Sequence, residues 1–216
     1  MLGEPENWLS NNNLVEQEKK RQEIIFRTNN RMYKEKNIRA DNIKTISLLG
    51  IDVDENVKWK HHILKLKKKL NISLFGISRI AKICNRDTAL ATYHAIFHSV
   101  LTYGIVLWGG SIEIRQILIT QKKAVRYITH SPKNQSCRDL FKILNILTAL
   151  STYILEVLKR VKANLTAFEI KSDNHLHFTR QKNVLQATQA KLSTSQKGIN
   201  FMGPKLFNKL PQRIKD

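Results

Sequence analysis

The segment Ser47–Leu70 limits the possible folds of this chain more than any other part of its sequence. It reads SLLGIDVDENVKWKHHILKLKKKL, with apolar residues around Gly50, a polar turn at Asp54–Asn56 and then a basic run. From Ile63 to Ala81, apolar residues recur at steps of three and four, which is the period of an α-helix. We therefore predict a short strand with a kink or close backbone approach at Gly50, then a turn that caps an amphipathic helix.

The predicted helix is basic on its polar side, and its charges have no acidic neighbours along the chain. No aspartate or glutamate occurs between Trp59 and Cys84. The chain of 216 residues carries a formal net charge of +20, which repels itself unless a polyanion binds. Nucleic acid is therefore the leading partner class, and an anionic membrane surface is the minor one. The side chains that we expect to contact phosphates are Lys58, Lys60, Lys65, Lys68, Lys69, Arg79, Lys122, Lys123 and Arg126.

Hydrophobic periodicity over the rest of the chain predicts a mainly α-helical fold with a short N-terminal β-hairpin. Two extended runs, Gln22–Arg27 and Ile43–Val53, are expected to pair as this hairpin across a long loop. A polar stretch at residues 169–200 is expected to be a loop, and Gly203-Pro204 is expected to interrupt the chain. The predicted helices are Lys60–Ile83, a second one capped by Asn85 or Asp87 and ending near Gly104 or Gly109, Glu113–Thr129, Arg138–Asn145, Ser151–Asn164, and a last turn or two at Lys205–Leu210.

Cysteine content and hydropathy narrow the class of protein further. The two cysteines, Cys84 and Cys137, form neither a zinc-binding spacing nor a disulfide framework. We therefore expect an intracellular protein in a reducing compartment, either the nucleus or the cytoplasm. The most apolar stretch, Leu90–Trp108, is interrupted by histidine, serine and threonine, which favours a buried core helix and no membrane span.

Two small clusters of potential metal ligands have a structural interpretation as well as a functional one. Asp52, Asp54 and Glu55 are adjacent and lack partner carboxylates, which favours turn and cap roles over a metal site or a small metal nuclease. His94 and His98 are one helical turn apart, but no third ligand is evident, which favours packing over zinc binding. We therefore predict no metal site.

Three aromatic residues near basic segments are candidates for stacking on nucleic-acid bases. Tyr103 and Trp108 lie inside an apolar run, which favours core packing for both residues. Trp59 lies between two lysines, so for this residue base stacking and core packing both stay open.

Several motifs occur in the order found in one family of polymerases. The pattern L-G-I-x-[apolar]-D, followed by W-K-x-H-I, resembles the palm–thumb junction of reverse transcriptases from non-long-terminal-repeat retrotransposons, particularly the jockey-like insect type. Its matching residues are Leu49, Gly50, Ile51, Asp54, Trp59, Lys60, His62 and Ile63. Further blocks similar to the family are found at Trp8, Leu9, Asn12, Leu14 and Lys20, at Tyr93–Trp108, at Gln121–Arg126, at Cys137–Leu147, at His175, Thr179 and Arg180, and at Gly203–Pro211. The chain departs from the family at Gln17 and Arg21, where Asn and Thr are usual.

The resemblance implies the C-terminal part of such an RNA-directed DNA polymerase. The end of the palm with its hairpin would occupy residues 1–57, a thumb-like helical bundle residues 58–130, and a helical C-terminal extension residues 131–216. This region of the family grips an RNA/DNA template–primer duplex, and the resemblance implies a primer-grip role for Leu49, Gly50 and Ile51. The fingers and most of the palm of the full-length family enzyme have no counterpart in this sequence.

Catalysis in this family requires two adjacent palm aspartates and a third aspartate, which together hold two Mg²⁺ ions for phosphoryl transfer. No Asp-Asp pair occurs in this sequence. We therefore predict no catalytic residues, no cofactor bound by this chain alone and no polymerase activity of its own. The alternative function is a stand-alone helical module that binds a protein partner or an anionic surface.

Overall fold

The computed structural model describes residues 3–15, 24, 26, 45–168 and 184–215. It is mainly helical, with a small two-stranded antiparallel sheet near the N-terminus, which confirms the predicted fold class. The chain forms two compact units, residues 1–57 and residues 58–216. Within the described ranges, no helix combines the length and the apolar character that a bilayer-spanning segment needs.

The first unit contains a helix that the hydrophobic pattern did not predict. Helix α1 spans Gly3–Asn11. The side-chain amide of Asn12 donates to the carbonyl of Trp8 at 2.8 Å, and the backbone N–H of Leu14 donates to the carbonyl of Leu9 at 2.9 Å. Trp8, Leu9, Asn12 and Leu14, which belong to the first matched block, therefore close the end of α1. Lys20 of the same block, and His175, Thr179 and Arg180 of a later block, lie outside the described residues.

The hairpin of the first unit is tighter than the sequence predicted. Strands β1, Thr45–Leu48, and β2, Ile51–Asp54, pair antiparallel. Leu49 and Gly50 form the turn between them, with φ values of 50° and 78°. Two-residue hairpin turns adopt this left-handed backbone because its twist matches that of the strands, and glycine adopts it without a steric penalty.

Two predictions about the hairpin are therefore corrected. Both strands lie within Thr45–Asp54, which overlaps the predicted run Ile43–Val53 and extends one residue beyond its end, and Gly50 lies in the turn rather than in a strand. Of the other predicted strand, Gln22–Arg27, only Ile24 and Phe26 are among the described residues, and neither is in a strand. A short alternating run with a central glycine thus makes a complete hairpin through local pairing.

The described part of the second unit consists mainly of α-helices, with one π-helical turn and one 3-10 turn. The bounds of these elements are α2 Lys60–Ile83, α3 Arg86–Thr92, the π-helical turn Tyr93–His98, α4 Ser99–Thr102, α5 Ile105–Trp108, α6 Ile114–Ile128, α7 Arg138–Ile143, α8 Ala149–Ala163, a 3-10 turn Leu165–Ala167, α9 Ser193–Gln196, α10 Ile199–Asn208 and α11 Gln212–Lys215.

Helix α2 has the predicted bounds, but it begins differently from the prediction. The residue before it, Trp59, has a φ of 63° and makes no side-chain cap hydrogen bond. Asp54 Oδ1 accepts from the backbone N–H of Asn56 at 3.0 Å and closes the turn that precedes the helix. The apolar side of α2 is buried as predicted, at Ile63, Leu66, Leu70, Leu74, Ile77 and Ala81.

The second predicted helix is interrupted by the π-helical turn. It begins as predicted, with Asn85 Oδ1 accepting from the backbone N–H of Thr88 at 2.9 Å. The chain then runs through α3, the π-helical turn and α4, and breaks at Gly104, whose φ is 62°. The π-helical turn shifts the helical register, and it buries Tyr93 and Phe97 in the core.

The side-chain amide of Gln121 on α6 is fully buried in the core of the second unit. Its Nε2 donates to the hydroxyl of Tyr93 at 2.9 Å and to the carbonyl of Leu147 at 2.8 Å. Its Oε1 accepts from the backbone N–H of Ala149, the first residue of α8, at 2.8 Å. The amide therefore joins α6 to the π-helical turn and to the start of α8, with its oxygen and nitrogen both hydrogen-bonded.

Helix α10 contradicts the prediction that Gly203-Pro204 interrupts the chain, because both residues lie inside it. A proline at this position removes the N–H that would bond to the carbonyl four residues earlier, that of Asn200. The hydroxyl of Thr188 donates to that carbonyl at 3.2 Å and replaces the missing donor. At Gly203, an added Cβ would lie 2.7 Å from Cγ2 of Val161, so the absence of a side chain lets α10 approach α8.

The predicted loop at residues 169–200 is partly corrected. Residues 169–183 lie outside the described residues, and residues 184–192 have no helix, but α9 and the start of α10 fall within the predicted loop. Asn208 attaches this segment to α10, since its Oδ1 accepts from the N–H of Leu185 at 3.0 Å and its Nδ2 donates to the carbonyl of Leu185 at 2.8 Å. Tertiary contacts therefore order a polar stretch that has little hydrophobic pattern.

Candidate nucleic-acid interface

The solvent side of α2 carries the strongest concentration of positive charge in the sequence. The helix has 24 residues, of which seven are lysine or arginine and none is aspartate or glutamate. The predicted contacts are all exposed, at Lys58 just before the helix and at Lys60, Lys65, Lys68, Lys69 and Arg79 within it. Because the apolar side of the helix faces the core, these charges are directed to solvent.

Three of the exposed lysines of α2 have no ion-pair partner among the residues that the structure describes. None of Lys60, Lys68 and Lys69 forms an ion pair with another described residue. Lys67, which was not among the predicted contacts, donates to Oε1 of Gln116 at 3.4 Å and connects α2 with α6. Only the packing of these two helices, and not the charge pattern, distinguishes Lys67 from its neighbours.

The three predicted contacts on α6 differ in their exposure and in their hydrogen bonds. Arg126 is half-buried, and its Nε and Nη2 donate to the carbonyl of Gln135 at 3.2 Å and 2.8 Å. Its guanidinium thus holds the connection between α6 and α7. Lys122 is also half-buried, and its carbonyl accepts from the thiol of Cys137 at 3.8 Å. Lys123 is exposed and is the member of the trio best placed to meet a phosphate.

The aromatic residues near these helices are arranged differently from the prediction. Trp108 is buried as predicted, and its Nε1 donates to the carbonyl of Tyr103 at 3.2 Å. Tyr103 itself is 55% exposed, so its predicted core role is wrong. The chain breaks at the following residue, Gly104, before the next helix begins. Trp59 packs half-buried against the core, with its ring centroid 6.2 Å from that of His62.

Two exposed aromatic residues on the basic helices were missed from the sequence. Phe75 on α2 is 64% exposed, and Tyr127 on α6 is 42% exposed. The guanidinium of Arg79 lies 4.8 Å from the centroid of the Phe75 ring, within the range of a cation–π contact. The signal that could have found Phe75 is its place in the polar stripe of α2, one turn before Arg79.

The predicted primer-grip residues lie at the tip of the hairpin in the first unit. Leu49 and Gly50 form the turn, and Ile51 begins β2. Leu49 is 81% exposed, and Leu48 beside it is also exposed. The hairpin therefore presents an apolar tip to solvent.

The carboxylates near the hairpin do not fit the pair of Mg²⁺ ions that the polymerase family uses. Asp54 is engaged in the turn through Asn56, and the side-chain amide of Asn56 also donates to Oε1 of Glu55 at 3.3 Å. Among the described residues, no three histidine, cysteine, aspartate or glutamate side chains are grouped so that they could hold a metal ion.

The two histidines of the π-helical turn contact each other. The rings of His94 and His98 have centroids 5.4 Å apart and meet edge to face, at an angle of 74°. Burial of the imidazole and the charge of His94 lower the pKa of His98, and the nearby carboxylate of Glu156 opposes this shift. This arrangement favours a neutral His98 packed among its neighbours.

No protein-family model, curated protein or solved structure matches this chain. The described features that bear on function are the exposed charges of α2, the exposed aromatic residues of α2 and α6, and the hairpin tip.

Proposed function

We propose that this chain is the template–primer-binding region of a reverse transcriptase of the jockey-like non-long-terminal-repeat retrotransposon type, without the catalytic carboxylates. The observation that carries the proposal is the outer face of α2, where exposed lysines and arginine follow one another with no acidic residue on the helix. Such a face attracts phosphates and releases their counterions on binding.

The size of this face suits a nucleic-acid duplex. A helix of 24 residues is about 36 Å long at about 1.5 Å per residue. One turn of a duplex has a similar length, about 34 Å. The lysines of α2 therefore extend over a distance on which several successive phosphates lie.

The family motifs support the proposal through the contacts that their residues make. Tyr93, Gln121 and Asn208 each belong to a matched block, and each makes a buried or half-buried hydrogen bond between elements distant in sequence. A chain that shares the fold of this family would need such contacts at these motif positions. The exposed apolar hairpin tip at Leu49 and Gly50 suits a contact with the end of a primer.

The proposed activity is binding without chemistry. The carboxylates near the hairpin do not fit the two metal ions of phosphoryl transfer, so we derive no catalytic step for this chain. In the full-length enzyme, the palm aspartates would hold the metal ions while α2 positions the duplex.

Salt-dependent binding of an RNA/DNA hybrid tests the proposal. We expect fluorescence anisotropy to show an affinity that falls steeply as salt rises from about 50 to about 200 mM, because counterion release drives phosphate binding. Replacing Lys60, Lys68 and Lys69 with alanine removes up to three phosphate contacts. The slope of log affinity against log salt should then decrease by about 2 to 3.

A variant with the same net charge provides the control. Lys191, Lys197 and Lys209 are exposed and lie far along the chain from α2, so their replacement with alanine removes three charges elsewhere. This control should retain most of the wild-type slope. An equal decrease of the slope in the two triple variants would show that net charge alone attracts the hybrid. An affinity that does not change with salt would exclude phosphate binding.

A specific observation favours the alternative of an anionic-surface-binding module. Ile72 and Ile83 on α2 are exposed beside the lysines, and apolar and basic side chains on one helix suit a membrane surface. Binding to vesicles that contain phosphatidylserine, without binding to the hybrid, would favour this alternative over the polymerase fragment.

A further inference from the structure

The outer faces of α2 and α6 share an arrangement of one exposed aromatic residue beside one basic residue. On α2, Phe75 is followed one helical turn later by Arg79, whose guanidinium lies 4.8 Å from the ring centroid. On α6, exposed Lys123 is followed one helical turn later by exposed Tyr127. Residues four apart lie on the same side of a helix, so each pair presents a ring and a cation together.

Both aromatic rings expose a large part of their surface to water. Phe75 keeps 64% of its surface in water and Tyr127 keeps 42%, although the core beneath both helices is well filled. Phosphate contacts with a duplex do not need such rings, since the bases of a duplex are stacked on one another. Unpaired bases expose their faces and stack on aromatic side chains.

We propose that Phe75 and Tyr127 are stacking sites for unpaired bases, so that this region binds single-stranded nucleic acid as well as a duplex. In each pair the basic residue meets the phosphate of the nucleotide whose base lies on the ring. The template strand beyond its primer, which the proposed function already includes, would supply these unpaired bases. This inference rests on the proposed function, because it assigns a second part of the substrate to the same helices.

Other occupants fit these pairs less well. A second copy of the chain would bring the cations of α2 against those of another α2, which like charges disfavour. An apolar protein partner would use Ile72 and Ile119, which are exposed on the same two helices, as much as the aromatic rings. The comparison of aromatic with aliphatic positions therefore separates base stacking from general apolar contact.

The test measures binding of the full chain to two labelled probes at one salt concentration. The probes are an oligothymidylate of about 20 nucleotides and a blunt RNA/DNA hybrid of similar length. Phe75→Leu and Tyr127→Leu keep an apolar side chain but remove the ring. Each should weaken binding of the oligothymidylate about fivefold, since one stacked base contributes at least that much. Binding of the hybrid should change less than about twofold, since duplex binding depends on phosphates.

The matched control replaces Ile72 and Ile119 with alanine, which removes exposed aliphatic surface from the same helices. This double variant should bind both probes as the wild type does. A 2-aminopurine base in the single strand should also lose fluorescence on binding the wild type, and lose less with Phe75→Leu, because stacking quenches it.

The outcomes separate failure of the inference from failure of the proposed function. Unchanged oligothymidylate binding in the two aromatic variants, or an equal loss in the aliphatic control, would overturn base stacking while leaving duplex binding in place. Equal losses for both probes in the aromatic variants would also overturn it. A wild-type chain that binds neither probe would overturn the proposed function itself.

Discussion

Gln121 connects three parts of the helical unit through one buried amide. Its partners are the hydroxyl of Tyr93, the carbonyl of Leu147 and the backbone N–H of Ala149. Burial raises the pKa of Tyr93 to about 12, while its hydrogen bond with Gln121 acts in the opposite direction. The phenol therefore stays protonated at neutral pH.

Replacing Gln121 with methionine should destabilise the protein by about 3 kcal/mol, because methionine fills the space but leaves buried polar groups without partners. Tyr93→Phe should cost less, about 1 kcal/mol, since Gln121 keeps its bond to Leu147. Urea unfolding followed by circular dichroism measures both values. An equal decrease in the free energy of unfolding for the two variants would contradict the conclusion that the amide of Gln121 connects these three parts.

The lowered pKa of His98 predicts a loss of stability in mild acid. Its usual value is 6.5, and burial and His94 favour the neutral imidazole in the folded state. Below pH 6.5 His98 binds its proton more strongly in the unfolded chain than in the folded protein. The contribution of His98 to the free energy of unfolding is therefore fully present above that pH and decreases as the pH falls towards the folded-state pKa. His98→Gln removes this contribution, and its stability should decrease less between about pH 7.5 and about pH 5.5.

Urea midpoints at the two pH values measure this difference. His130→Asn provides the control, because His130 is exposed and its φ of 50° suits asparagine. The control should keep the wild-type loss of stability. A His98→Gln variant with the same loss as the wild type would assign the acid sensitivity to other groups.

At the scale of elements, two helical glycines predict opposite effects of the same substitution. A Cβ at Gly203 in α10 would lie 2.7 Å from Cγ2 of Val161, a stiff side chain in α8. Gly203→Ala should therefore cost about 1–3 kcal/mol. A Cβ at Gly76 in α2 would lie 3.3 Å from Cδ1 of Ile96, the end of a flexible side chain. Gly76→Ala should be neutral or stabilise by up to about 1 kcal/mol through helix propensity.

A double-mutant cycle with Val161→Ala identifies the cause of the Gly203 effect. Removing Cγ2 of Val161 creates space for the new methyl group, so the double variant should be more stable than the sum of the single effects by at least about 0.5 kcal/mol. Chemical denaturation of the four proteins supplies the values. Simple additivity would show that the approach of α10 to α8 does not depend on this contact.

At the scale of the whole molecule, the helical unit should fold without the first unit. The buried apolar residues of the described chain all lie between Ile63 and Phe207. A fragment of residues 58–216 therefore retains this core, and we expect cooperative unfolding in urea with near-ultraviolet circular dichroism from its buried aromatic rings. A fragment with helical content but a broad transition would show that the core depends on residues 1–57.

The same fragment separates the two surfaces proposed to bind nucleic acid. It retains the basic face of α2 but lacks the hairpin tip at Leu49 and Gly50. Its salt slope with the RNA/DNA hybrid should match that of the full chain, because the slope counts phosphate contacts. A large drop in the slope would place phosphate contacts in the first unit.

The sequence by itself determined those features that depend on neighbours within one helical turn. The bounds of α2, its buried side, its lack of acidic residues and the Asn85 cap all follow from spacings of three and four residues. The mainly helical class follows from the same periodicity. Hydrogen bonds within a helix and the burial of one of its sides are local properties, which a sequence pattern records directly.

Only the tertiary structure decided the features that depend on residues distant along the chain. Pro204 is accommodated in α10 because Thr188 supplies a donor, and Arg126 turns from the solvent to the carbonyl of Gln135. Tyr103 is exposed where the helix breaks at Gly104. Each outcome depends on a hydrogen-bond partner or a backbone angle that a periodic sequence pattern does not contain. Contacts between residues distant along the chain override local preference when they satisfy buried polar groups.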